Sequence, residues 1–172
     1  KTINRYVGVD HNKKPTKNIT EILFEKGFVN TIISTSEITH ATPAAFASHV
    51  SSRYEKEEIA KHIYNSKNHI VLGGGTDYFL PIEEGGIRED GVNFVKKIKK
   101  NFHYLETKKD IDNFNYIDRK RIFGLFAKDD LERTEFEPNL FEMLDFSIKE
   151  SKRMLQDGCK GFFIMAEGSK ID

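Results

Sequence analysis

The sequence predicts a three-layer α/β/α sandwich on a mostly parallel central sheet, and three observations predict it. Short apolar runs such as Ile70-Val71-Leu72, Arg121 to Phe126 and Gly161 to Ala166 suit strands covered by helices on both faces. Amphipathic segments of helical period alternate with those runs, the pattern of repeated helix and strand units. At 172 residues the chain can bury a sizeable core, and one domain over 1–172 is the expectation.

Asn18 to Lys26 places Ile19, Ile22, Leu23 and Lys26 at helical spacing, with Gly27 positioned to close the helix in a left-handed conformation. Phe28 to Glu37 follows as a strand, rich in the β-branched residues Val29, Thr31, Ile32, Ile33 and Thr35. Thr42-Pro43 reads as an N-cap with proline at the first helical position, the helix continuing to Val50. Tyr54 to Asn65 is a charged amphipathic helix carrying Ile59 and Ile63, and His69 to Leu72 is a short strand that ends at Gly73-Gly74-Gly75. Helices are expected near Val92 to Asn101 and Lys109 to Phe114, and a strand over Arg121 to Phe126. Pro138 opens a helix with Leu140, Phe141, Leu144, Ile148 and Leu155 that runs to Asp157-Gly158, and the last strand follows at once.

Lys plus Arg and Asp plus Glu both number 27, so no overall field favours nucleic acid or an anionic membrane, and any anion site must be local. The longest apolar runs fall far short of the roughly 20 residues of a membrane span. Cys159 is the single cysteine; it allows no internal disulfide, leaves the redox compartment open, and is expected to pack beside a helix end. The lysine run 96 to 100 reads as a solvated helix face.

Two segments carry residues suited to chemistry. The last apolar strand exits into Glu167-Gly168-Ser169-Lys170-Ile171-Asp172, which puts two carboxylates beyond the carboxyl end of a strand, where open α/β sheets bind ligands. Ser34 to Arg53 sets His40, a hydroxyl at a helix start (Thr42) and Arg53 downstream of another strand exit. A neutral imidazole can ligate a borderline-soft cation, a threonine hydroxyl is a hard oxygen that magnesium accepts, and a guanidinium fork matches two phosphate oxygens. Taken singly each has a plainer explanation: capping for Thr42, an ordinary loop histidine, a solvated arginine. On one straight helix Arg53 would stand roughly 16 Å from Thr42, so either the helix ends first or the two serve different parts of one pocket.

Together these residues resemble the alkaline phosphatase family. The resemblance is carried by His40-Ala41-Thr42-Pro43-Ala44-Ala45, His49-Val50 and Arg53, by Leu72-Gly73-Gly74-Gly75, and by Phe163, Met165, Glu167-Gly168 and Ile171-Asp172. Lys1-Thr2 and Val7-Gly8-Val9-Asp10 are similar to the stretch after the family's nucleophilic serine, so the match covers essentially the whole chain.

The resemblance implies a partial alkaline phosphatase fold and a metal-dependent phosphate monoester hydrolase that works through a phosphoserine. Thr42 and Glu167 match ligands of a Mg²⁺ ion, Asp172 a ligand of one of two Zn²⁺ ions, and Arg53 the arginine that grips phosphate. His40 matches a position that tunes the third metal site directly or through a neighbour. The glycine run is similar to a structural turn, and it lacks the Lys-Ser/Thr ending of a P-loop. No Asp-Ser-Ala segment and no His-x-x-x-His segment occurs, so the resemblance implies an internal portion of a larger catalytic domain, inactive by itself. Implied partners are phosphate monoesters and inorganic phosphate, with no nucleic acid or membrane and a homodimer left open; the implied location is periplasmic or secreted, as for most bacterial members. Related sulfatase-like or mutase-like enzymes, and a scaffold that only binds an ion or anion, are the alternative readings.

Overall fold

The computed structural model describes residues 5–116, 118 and 120–169. Asn18 begins the first helix, α1 (Ile19–Glu25), through a capping box with Glu21, and Gly27 leaves it at φ 82°. A positive φ costs glycine nothing, so the chain reverses there into β1 (Phe28–Glu37). The remaining elements are α2 (Ala41–Ala44), α3 (Lys56–Asn65), β2 (Ile70–Gly74), α4 (Phe94–Asn101), β3 (His103–Leu105), α5 (Lys108–Asp112), β4 (Ile122–Leu125), α6 (Leu140–Gln156) and β5 (Gly161–Glu167), with two short 3₁₀ turns between β2 and α4.

Among the described residues the strands form one sheet in the order β3-β4-β2-β1-β5, and every neighbouring pair is parallel. Alternation along β1 gives the two faces different cores. Ile32 joins Val71, Phe123, Ile59, Ile63, Phe94 and Ile98 under α3 and α4, whereas Val29 and Ile33 join Ile70, Leu72, Ile122, Met143 and Phe146 under α6. Each fully buried branched or aromatic side chain contributes about 1.5–3 kcal/mol. These two apolar layers fix the register of the sheet, because a slip of one residue would turn Ile32 and Ile33 to the wrong faces. The expected sandwich of helices on both sides of a parallel sheet is what the chain forms. No described helix is long and apolar enough to cross a membrane.

Several expectations change. The helix expected from Thr42 to Val50 is a single turn, α2. Val50 instead forms an antiparallel bridge with Val7, and His49 contacts the Gly8 carbonyl (2.6 Å) and Glu21 (3.0 Å). Tertiary contacts with the chain's early residues thus override the helical propensity of an alanine-rich segment. Gly73 and Gly74 belong to β2, leaving Gly75 (φ 87°) as the turn. β3 was not expected. Among the described residues β5 is flanked on one side only, with Phe162 and Ala166 exposed, although its run of apolar residues suggests burial on both faces. The helix that Pro138 was expected to open is capped by Asn139 and starts two residues later, at Leu140. Cys159 packs against the α6-side core, and Lys96, Lys97, Lys99 and Lys100 are solvent-exposed.

Candidate functional site

The carboxyl ends of β1 and β5 lie side by side. Their parallel register runs from Phe28 opposite Gly161 to Ser34 opposite Glu167, so β5 ends beside the last residues of β1, which continues to Glu37. The pairing delivers Glu167 beside a cluster of hydroxyls. Ser34 Oγ donates to Glu167 Oε2 at 3.0 Å and contacts Ser36 Oγ at 2.8 Å. On the other face Thr35 Oγ1 accepts from the Ser169 N–H (3.0 Å) and contacts its hydroxyl (3.1 Å). The second Glu167 carboxylate oxygen has no hydrogen-bond partner among the described residues.

Beyond β1 the chain makes a tight turn, with the Ile38 N–H donating to Gly74 O (3.1 Å) and the His40 N–H to Glu37 O (2.9 Å). His40 is the residue that caps α2, and its side chain makes no cap hydrogen bond. Thr42 is therefore the second helical residue rather than the cap, with its side chain in solvent. That placement frees the hydroxyl from the capping role that its sequence context suggested. Helix α2 packs against both β1 and β5.

After α2 the chain folds back instead of running straight. The Arg53 N–H donates to the Arg5 carbonyl at 2.8 Å, and Arg53 lines one open pocket of about 240 Å³ together with His40, Ala41, Tyr54 and Lys56. Because the helix ends early, Arg53 and His40 meet at one pocket, while Thr42 is not among the residues that line it. The Arg53 guanidinium is exposed and has no hydrogen-bond or ion-pair partner among the described residues, so its fork is available to an anion.

Glu37, Lys56 and Tyr78 were not identified from the sequence. Glu37, 5% exposed, ends β1 with its N–H donating to Asp130 Oδ1 (2.8 Å). Its Oε2 accepts from Lys56 Nζ, lies 3.5 Å from Thr39 Oγ1 and 3.7 Å from His40 Nε2. Burial pushes the Glu37 carboxyl above its ordinary value; Lys56 opposes that shift and the Asp129 carboxyl adds to it. Burial works against the Lys56 charge, but its bonds to Glu37 and to Tyr78 (3.2 Å) prevail and hold the ammonium above its ordinary value. A buried carboxylate is costly unless paired, and a glutamate at a strand end followed 19 residues later by a lysine gives no such signal in sequence.

The donors present suit a hard cation. Among the described residues Glu167 offers an unbonded oxygen beside the Ser34 hydroxyl and Thr42 an exposed hydroxyl, which is the oxygen chemistry that Mg²⁺ accepts. Among the described residues no group of three or more His, Cys, Asp or Glu side chains is disposed to hold a metal, so they supply no zinc site, for which nitrogen and sulfur ligands are usual. Asp172, the expected zinc ligand, lies outside the described residues.

A family model described as alkaline phosphatase matches residues 1–172. The chain is 35% identical to alkaline phosphatase 3 of Bacillus subtilis and 32% identical to an alkaline phosphatase of Schizosaccharomyces pombe, covered completely in both alignments while spanning 36% and 35% of those proteins. It thus spans about a third of the length of these relatives. Among solved structures, alkaline phosphatase from the Antarctic bacterium TAB5 superposes with a TM-score of 0.80 at 29% identity, over 100% of this chain and 48% of that one. A variant of the TAB5 enzyme described with Mg bound in the M3 site superposes with a TM-score of 0.77 at 29% identity, over 99% of this chain and 47% of that one.

Proposed function

The chain belongs to the alkaline phosphatase family, and from that premise we propose that it forms the magnesium and phosphate-gripping side of a phosphate monoester hydrolase. The observation that supports this reading most directly is the meeting of His40 and Arg53 at one pocket, with α2 packed against both β1 and β5.

Thr42 and Glu167 would hold Mg²⁺, with Ser34 fixing one Glu167 oxygen (3.0 Å) so that the other faces the ion. Bound there, Mg²⁺ supplies concentrated positive charge. Arg53 would take two phosphate oxygens in its fork, orienting a monoester and neutralising part of the charge of the transferring group. His40 would shape the metal site from the turn that Glu37 anchors. Substrate would be a phosphate monoester, and inorganic phosphate the product. Asp172 would contribute to a zinc site, completed with the nucleophilic serine by parts of the family's longer chains that these residues do not cover. By family analogy the whole protein would act in the periplasm or outside the cell, with a homodimer left open.

Isothermal titration of this chain with Mg²⁺ tests the reading. Thr42→Ala and Glu167→Gln should each weaken binding by tenfold or more, about 1.4 kcal/mol, with thermal stability nearly unchanged because neither side chain belongs to a core cluster. Equal Mg²⁺ affinity in wild type and both variants would sink the assignment.

A further inference from the structure

We propose that Lys56 is a positioning residue for phosphate binding: by tying the start of α3 to Glu37 it sets where Arg53 stands relative to the His40–Thr42 turn. This rests on the reading of Arg53 as the phosphate arginine.

Among the described residues little else holds Arg53. The segment between α2 and α3 contains no long element of regular structure, and the Arg53 side chain has no partner among the described residues. Its backbone is held on one side by the Arg5 carbonyl (2.8 Å) and by the Val7–Val50 bridge three residues earlier. On the other side local bonds lead directly into α3: the Glu55 N–H donates to Ser52 O (3.1 Å), the Tyr54 N–H to Ser52 Oγ (3.2 Å), and Ser51 Oγ to Glu55 Oε1 (2.9 Å). Lys56 is the first residue of α3, three beyond Arg53.

The Lys56 ammonium is fixed three ways. It donates to Glu37 Oε2, donates to Tyr78 Oη at 3.2 Å, and lies 4.9 Å from the centre of the Tyr78 ring. Glu37 is in turn the last residue of β1, and its Oε2 faces Thr39 and His40. One carboxylate oxygen therefore connects the α3 start, three residues from Arg53, with the turn that leads to Thr42. Lys56 also lines the pocket that His40 and Arg53 share. A long lysine paired with a buried carboxylate has few rotamers left, so the link is stiff. Removing the charge leaves Glu37 buried without its cation, which frees both ends of the link.

A lysine at the pocket could instead contact phosphate itself, and a double-mutant cycle separates the two roles. Inorganic phosphate is titrated into wild type, Lys56→Met, Arg53→Ala and the double variant in the presence of Mg²⁺, followed by calorimetry. Positioning through Arg53 predicts that Lys56→Met weakens binding fivefold or more in the wild-type background and less than twofold when Arg53 is already alanine, with Lys56→Arg restoring most of the affinity. Equal losses in both backgrounds, or no loss, would overturn the proposal. If Lys56→Met is poorly folded, Glu37→Gln/Lys56→Met removes the unpaired charge and must still bind weakly. Should Arg53→Ala bind phosphate as wild type does, the phosphate reading of Arg53 fails. The Arg53 Nε–Hε resonance then decides positioning by itself: it shifts in Lys56→Met if the link exists and stays in place if it does not.

Discussion

Lowering the pH should weaken the fold through one histidine at the end of the sheet opposite the candidate site. The His69 Nδ1 accepts a hydrogen bond from the Asn30 N–H at 3.1 Å, which requires that nitrogen to be unprotonated. Burial, with the Arg121 guanidinium adding to it, brings the imidazole from 6.5 down to about 4. The unfolded chain therefore binds a proton below about pH 6.5 that the folded chain refuses until about pH 4. Stability from this group is complete above pH 6.5 and declines as pH falls through that interval. A gap of this size corresponds to roughly 3 kcal/mol, and partial exposure of the ring reduces the expected loss to about 2 kcal/mol. Urea unfolding of wild type and His69→Gln at pH 7.5 and pH 4.5 isolates the effect, since the carboxylates common to both cancel in the difference, and glutamine can still accept from Asn30. Wild type should lose about 2 kcal/mol more than the variant across that interval. Parallel pH profiles would refute the reasoning.

Two further outcomes follow from packing and charge. A Cβ at Gly74 would lie 2.0 Å from the Asp129 carbonyl oxygen, so Gly74→Ala must displace the loop whose Asp130 anchors Glu37; a loss of about 2–3 kcal/mol in chemical denaturation is expected, and an unchanged midpoint would contradict the close approach. Glu150 on α6 is 1% exposed, with Oε2 unpartnered among the described residues, and burial raises its carboxyl above its ordinary value. Its folded form thus favours the proton, and stability falls as pH rises through the carboxylate range; Glu150→Gln should gain on the order of 1 kcal/mol over wild type at pH 8 and much less at pH 4, whereas a gain independent of pH in thermal melts would show that the charge is not the cause.

Where local chemistry decides, the sequence was readable. The α1 limits follow from the apolar spacing after Asn18 and from Gly27, and the β1 limits from β-branched residues between Gly27 and the polar turn. β3 was invisible because three residues carry no period, and only pairing with β4 makes them a strand. In the site, Thr42, Glu167, Arg53 and His40 stood out through residue type and order. Glu37, Lys56 and Tyr78 did not, because a buried ion pair is a property of burial, and nothing in a charged residue's neighbours along the chain reports that water will be excluded from it.

The amino-acid order by itself determined the alternation of helix and strand, the family resemblance and which side chains could carry metal or phosphate, since propensity, capping and motif are local. Only the tertiary structure decided that α2 stops after one turn, that Arg53 returns to the pocket of His40, and that one glutamate oxygen joins their two segments. Those outcomes depend on contacts between residues far apart in sequence, such as Val7 with Val50 and Glu37 with Lys56, and such contacts form only when the core layers bring the segments together.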